Sequence, residues 1–377
     1  MKILFIILSI CISILNCQSQ NTLGCYTTQF SPEKFSFTKT TNDLKIVRVN
    51  FHFMQLSDGT GNFTEYTDGD GRYYTGYQYA RDHVAIMNNI CGQNQQLNLP
   101  IGNNLPIKAK NLKFVLDAVY FVPNSNSYLY GQQNYTLNGK DKQNVLNIFI
   151  SHGTGSTFGA AYDLTTNPSN NKYTTLNAYW FNYKKSMNDY GNPNDWARSV
   201  TTSHELLHLL TLSHTVYEGG GNPCNNGCTV FNTFCPDDGC LDTPTATEVM
   251  QLNNCQGSPS CDWGVSGFYC SNNHMDYKGD FALSPCQIDR VHAALEGGLK
   301  QFLSCYAVNI DQTFCDLGYP KTSYFGKNVI VGNCGTLAHI TNQEKIDMYF
   351  SSSVELNNFE VRADSEFEII LEPVCGF

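Results

Sequence analysis

Between residues 45 and 56 the chain alternates its side chains, with Val47, Val49, Phe51 and Phe53 set against Arg48, Asn50 and His52. A period of two rich in β-branched and aromatic residues predicts a strand. The Gly- and Asp-rich tract over 58 to 71 then reads as a loop. From 79 to 90 the period lengthens: Ala80, Val84, Met87 and Cys91 fall at helical spacing. Strand patterns return over 112 to 122 and 145 to 151, and this βαββ order predicts a twisted sheet with helices packed on it. Gly159-Ala160-Ala161-Tyr162-Asp163 admits two readings. One is a short strand at the sheet edge, able to accept an extended peptide as an added strand; the other is a small-residue turn.

Further along, Ser284-Pro285-Cys286-Gln287 forms a capping box with proline at the first helical position. Ile288, Val291, Leu295, Leu299 and Phe302 supply one apolar face, so a helix closes the main domain near Cys305. From Asp311 the pattern changes to short alternating runs at 328 to 331 and 367 to 371. The division expected is a main domain over 45–305 and a small β-rich module over 311–377 that contains Cys315, Cys334 and Cys375.

The first residues change the picture of where the chain works. Met1-Lys2 precede an apolar run over 3 to 15 and then polar residues, the pattern of a secretory signal peptide over 1–19, with 20–44 as an N-terminal segment or pro-segment. Cleavage near Cys17-Gln18-Ser19 is one exit; lipid attachment at Cys17, in Ile14-Leu15-Asn16-Cys17, is the other. No second run of membrane length follows, so no transmembrane segment is expected. Setting aside Cys11 and Cys17, 14 of the 16 cysteines remain, ten of them between Cys224 and Cys315. In an oxidising compartment disulfides are their expected state. A net charge of -10 argues against a nucleic-acid partner, and 41% hydrophobic with 15% charged residues is a globular composition. Asn62-Phe63-Thr64 and Asn134-Tyr135-Thr136 are glycosylation sequons.

The chemistry lies in Ser203-His204-Glu205-Leu206-Leu207-His208. Residues four apart share a helix face, so His204 and His208 can converge on one zinc ion, while Glu205 reaches a water on that ion without being a ligand. His214 is the expected third ligand. On a continuous helix it would lie about 9 Å beyond His208 and off its face. The helix must therefore break near Thr211, where the extended motif H-E-x-x-H-x-x-G-x-x-H has glycine. A β-branched residue in a left-handed turn costs about 1 to 2 kcal/mol, so the turn is strained at Thr211 or closes at Leu212 or Ser213. From the chain's own His and Glu frequencies this constellation arises by chance about once in several thousand such chains. Three histidines without a fourth protein ligand leave a position for water, as catalytic zinc requires.

These residues resemble the metzincin metallopeptidases, within them the pappalysin and cytophagalysin group. Asp237-Asp238-Gly239-Cys240-Leu241-Asp242-Thr243-Pro244 resembles that group's acidic segment. Asn272-Asn273-His274-Met275-Asp276-Tyr277 resembles its Met-turn, and 284 to 295 its closing helix. The resemblance covers about 45 to 305, with specific motifs from His204 to His292. It implies an α+β, metzincin-like domain with a twisted mixed sheet, a zinc-binding helix and an irregular disulfide-rich lower subdomain. It also implies that Met275 forms an apolar floor under the zinc and that Tyr277 stabilises the oxyanion. Asp237, Asp238 and Asp242 read either as calcium ligands or as a solvated acidic turn.

The function expected is that of a secreted zinc endopeptidase acting on protein or peptide substrates. Zinc activates a water and polarises the scissile carbonyl, and Glu205 takes the proton and passes it to the leaving amine. Tyr277 donates to the oxyanion. Two alternatives stand beside it: a site with Glu218 or Glu248 as third ligand, and a catalytically inactive, surface-displayed binding protein that retains zinc. Cys25 is either a thiolate latch on the zinc or a disulfide partner.

Overall fold

The computed structural model describes residues 43–67, 74–97, 105–130, 139–152, 159–163, 172–177, 196–213, 240, 242–243, 272–275, 281–308, 311–315, 317, 320–331, 338–340, 345–356, 359–361 and 365–371. The alternating run is strand β1 (Lys45–Gln55), followed by helix α1 (Gly76–Gly92) and strand β2 (Leu112–Pro123). A short helix α2 (Ser125–Tyr130) leads to β3 (Leu146–Ser151), β4 (Gly159–Asp163) and β5 (Lys172–Asn177). They form one sheet in the order β2-β1-β3-β5-β4. The four strands β2, β1, β3 and β5 run parallel, and β4 alone pairs antiparallel, against β5. The sheet is thus mixed, and Gly159–Asp163 is an edge strand rather than a turn.

Central β1 is buried on both faces, as parallel strands covered by crossovers are. Val47, Val49, Phe51 and Phe53 join the main apolar cluster with Tyr79, Ala80, Val84 and Met87 of α1. That helix opens on a Thr75–Gln78 capping box, and a side chain at Gly76 would collide with the Phe121 ring at 2.5 Å. The opposite, polar face of β1 meets the chain that feeds β3. There Arg48 donates to the Asn144 carbonyl at 2.9 Å and Asn50 to that of Lys140 at 3.1 Å. His52 Nε2 donates to Asn147 Oδ1 at 2.6 Å, with its ring stacked between Tyr120 and Phe149. The alternation in sequence therefore separates two kinds of interior, not interior from solvent.

The closing helix α4 (Pro285–Glu296) carries the expected Ser284–Gln287 capping box. It stops at Gly297 rather than running to Phe302, which lies in a separate 3-10 turn (Lys300–Phe302), and a short helix α5 (Ser304–Ala307) follows. Residues beyond form β6 (Gln312–Phe314), β7 (Ser323–Val331), β8 (Ala338–Ile340), β9 (Lys345–Leu356), β10 (Phe359–Val361) and β11 (Glu366–Leu371). Every pairing among them is parallel. Ser323 pairs with Asp347, Lys345 with Glu366 and Ala338 with Phe359, offsets of 24, 21 and 21 residues. Gln312 pairs with Val329 at a shorter offset of 17 residues, and parallel pairing at all these offsets requires crossover connections rather than hairpins.

This segment covers the β2 edge of the main sheet. Val119 N–H donates to the Pro320 carbonyl and Thr322 N–H to that of Asp117, at 2.9 and 3.0 Å. Asp117 is the extra residue at a bulge where β2 shifts register against β1, and its carboxylate pairs with Lys321. A bulge that re-aims a buried charge to its partner, together with the backbone bridge between Ala118 and Lys321, covers this part of the edge. Val115, Val308, Phe325 and Tyr349 seal the contact.

Two expectations need correction. Cys91, on the buried face of α1, is a free thiol, so the cysteines are not all paired, although Cys240–Cys286 is a disulfide and Cys305 and Cys315 are disulfide-bonded. Burial pushes the Cys91 thiol up to about 11. Asn62 cannot carry a glycan in the folded chain, because it is 0% exposed and donates to the Met54 and Ile150 carbonyls, each at 3.0 Å. Asn134, the remainder of the 58 to 71 tract beyond Thr67, and residues 1–42 with their signal and Cys25 readings lie outside the described residues. Among the described residues no helix is long and apolar enough to cross a membrane.

Burial lowers His52 from 6.5 to about 3, the Asn147 bond opposing this only in part. The fold excludes a proton that the unfolded chain takes up near 6.5, so stability present above that pH is lost as pH falls toward 3. His52→Phe keeps the stack and leaves Asn147 Oδ1 the Lys140 N–H at 3.1 Å. Between pH 7 and pH 5 the wild type should lose about 2 kcal/mol more than this variant in urea unfolding. Equal losses would contradict the buried neutral imidazole.

Candidate metal centre

Helix α3 (Trp196–Leu209) carries the His204-Glu205-xx-His208 segment. Leu206, Leu207, Leu209 and Leu210 are all buried in the main cluster, so apolar packing fixes the helix and the histidines are presented on its remaining face. On the α1 side, His83 is hydrogen-bonded to Thr202 at 2.7 Å.

Each imidazole is locked by a backbone carbonyl. His204 Nδ1 lies 2.7 Å from the His274 oxygen and His208 Nδ1 lies 2.8 Å from the Leu212 oxygen. A carbonyl only accepts, so both Nδ1 atoms carry the proton and both Nε2 atoms present lone pairs. Those two Nε2 atoms face each other at 3.1 Å, the rings near perpendicular at 88°. Burial lowers His204 to about 4 and His208 to about 3, the neighbouring imidazole adding to the effect at His208. Two neutral lone pairs at that separation repel one another, and a shared cation between them is the arrangement that relieves this. The donor set suits zinc, whose imidazole ligands are held by such second hydrogen bonds.

Glu205 is 2% exposed. Burial raises its carboxyl to about 8, opposed by a hydrogen bond from the Ala161 N–H of edge strand β4. Its Oε2 is buried without a protein partner.

The helix ends at the turn expected near Thr211. Thr211 has φ 82°, in the left-handed region, so the turn falls at Thr211 itself, with its strain of about 1 to 2 kcal/mol. Leu212 N–H donates to the Leu207 carbonyl at 3.0 Å and Thr211 N–H to that of His208 at 2.9 Å, the two bonds of a Schellman motif. Buried Leu207 and Leu212 give it its apolar contact. The same turn supplies the Leu212 carbonyl that locks His208.

Met275 is 0% exposed and lies in the cluster that holds Leu206 and Leu207. Its turn is tied to the closing helix, since Met275 N–H donates to Asn273 Oδ1 and Asn273 Nδ2 to Gln287 Oε1, each at 2.8 Å. Gln287 is also the capping-box residue of α4, accepting from Ser284 N–H at 3.0 Å. His274 Nε2 is bonded to Ser203 at 2.9 Å, next to His204, whose Nδ1 donates to the His274 carbonyl. In the sequence Asn273 and His274 stand out only as members of the Met-turn segment and Arg290 only falls within the closing-helix segment; nothing there marks the bonds they make.

Asp242 Oδ2 accepts from the Cys286 N–H at 2.9 Å, which makes it a cap for α4. Cys240, Asp242 and Cys286 cluster closely enough to suggest a metal, but the cysteines are joined as a disulfide and offer no thiolate. His214, Asp237, Asp238, Tyr277, Glu218 and Glu248 lie outside the described residues.

The family comparison supports a metallopeptidase. Residues 127–296 match the family of peptidases described as pregnancy-associated plasma protein-A. The motifs from His204 to His292 fall inside that segment, and the resemblance to the pappalysin group holds. Among solved structures, a promirolysin variant from Tannerella forsythia is 15% identical with a TM-score of 0.44, covering 70% of this chain and 86% of that one. Mature mirolysin from the same organism, in complex with a cleaved peptide, is 14% identical with a TM-score of 0.40, covering 69% and 98%. No curated protein matches the chain.

Asn273→Ala removes two buried hydrogen bonds from the Met-turn. Chemical denaturation should show a loss of about 2 to 3 kcal/mol; a change below about 0.5 kcal/mol would mean that these bonds do not hold the turn.

Proposed function

We propose that this chain is a secreted zinc-dependent endopeptidase that hydrolyses peptide bonds of extracellular proteins. The observation that supports it most is the facing pair of Nε2 lone pairs on His204 and His208, 3.1 Å apart, beside the unpartnered Oε2 of Glu205. His204, His208 and His214 are the proposed zinc ligands. The ion, when bound, would supply Lewis acidity toward a water and the scissile carbonyl.

Glu205 takes the proton of the attacking water and returns it to the leaving amine. Its burial serves this role, since a carboxylate out of water is a stronger base than one in it. Tyr277 donates to the developing oxyanion. The outer edge of β4 receives the substrate as an added strand, and the Ala161 bond to Glu205 keeps that edge next to the reacting atoms. Secretion is supported by the apolar run over 3 to 15 and by the disulfide-bonded cysteines. Calcium at Asp237, Asp238 and Asp242 would use the Asp242 oxygen that the Cys286 amide leaves over.

The secreted chain should contain about one zinc, by the ligand count of a catalytic site, and should cleave an unfolded protein. Glu205→Ala should keep the metal and lose turnover by about 10²- to 10⁴-fold, and His214→Ala should lose or weaken the metal. Zinc without cleavage by the wild type, even after trimming of the N-terminal segment, would favour the inactive binding protein.

A further inference from the structure

The turn that ends α3 is where this chain parts from the extended zinc motif. Thr211 holds φ 82° with a β-branched side chain, where glycine would sit without penalty. The Schellman bonds engage the Thr211 and Leu212 N–H groups. Neither acts on the Thr211 carbonyl, which the left-handed residue turns away from the helical ladder. That oxygen is met from outside by Arg290 of α4, whose guanidinium donates to it at 3.0 Å. Arg290 is 8% exposed, and a hydrogen bond from a buried charged donor is among the stronger ones a protein makes.

We propose that Arg290 is a positioning residue for the metal centre, holding the Thr211 turn in a conformation that threonine by itself disfavours. This rests on the three-histidine zinc site proposed above. Two features of the site depend on the turn. One is the Leu212 carbonyl, which accepts from His208 Nδ1 at 2.8 Å and so keeps its Nε2 lone pair toward His204. The other is the end of the helix itself, which the turn stops short of His214. Were the helix to continue through Thr211, Leu212 O would enter the helical ladder and His214 would be carried off the ligand face. Glycine at this position needs no clamp, because the left-handed conformer is open to it. The importance of Arg290 is therefore tied to the presence of Thr211, and that dependence separates a positioning role from ordinary packing.

The experiment is a double-mutant cycle on the full chain, with zinc affinity read by chelator competition and folding of the metal-free forms by circular dichroism and thermal melting. R290M should weaken zinc binding at least about tenfold, equal to about 1.4 kcal/mol, and R290K should recover part of the loss. T211G should bind zinc as well as the wild type or better. In the T211G background, R290M should cost less than about threefold. If R290M does not accumulate as folded protein, R290K in the two backgrounds reads the same coupling. Equal losses in both backgrounds, or no loss in either, would overturn the proposal. H214A separates the two ideas. Zinc retained there would overturn the three-histidine reading, whereas zinc lost there with equal Arg290 effects in both backgrounds would overturn the clamp alone.

Discussion

Two imidazoles four residues apart on a helix make a metal site only if both keep their Nε2 lone pairs on the same point. Each is free to flip or change tautomer unless its other nitrogen is held. Here the holding groups are two backbone carbonyls, His274 O for His204 and Leu212 O for His208. One comes from the Met-turn, 70 residues along the chain, and the other from the turn that ends the same helix. Much of the surrounding structure serves to keep those carbonyls in place. The Met-turn is bound through Asn273 to the capping box of α4, and α4 is tied by Asp242 and the Cys240–Cys286 disulfide to the acidic segment.

The main sheet treats its two edges differently. At β2 the backbone of 320–322 and the Lys321–Asp117 pair cover the edge. Strand β4, at the other end of the order, touches α3 through the Ala161 amide and Glu205. Among the described residues no strand pairs with the outer side of β4. The C-terminal segment thus pairs with the β2 end of the main sheet, while β4 is the last strand of the described sheet at the other end.

The interior also carries several costly groups, each with a compensation. Lys110 is 2% exposed and lowered to about 8 by burial, and its ammonium donates to the Ile90 carbonyl at the end of α1 and to that of Phe281. Cations suit a helix C-terminus. Arg48 is offset by the Asn144 carbonyl and the Phe325 ring, His52 by Asn147 and two aromatic faces, and Thr211 by Arg290. Each of these compensating bonds comes from another element or loop of the chain.

The local periods along the chain determined the strand at 45 to 56, the helix after it, the closing helix with its capping box and the pairing of His204 with His208. These depend on side chains two, three or four residues apart, and such spacings act before any tertiary contact exists. A break near Thr211 was also legible from the expectation that His214 shares the metal, but the spacing left Thr211, Leu212 and Ser213 open as its place, and the structure puts the left-handed residue at Thr211. What only the tertiary structure decided is which partners complete these groups. The strand order β2-β1-β3-β5-β4, the burial of the polar face of β1, the free Cys91 and the parallel C-terminal strands follow from long-range pairing. The tautomers of the two histidines and the Arg290 bond to Thr211 were settled in the same way. A carbonyl is present at every residue, so nothing in the sequence marks the few that must accept a particular hydrogen bond.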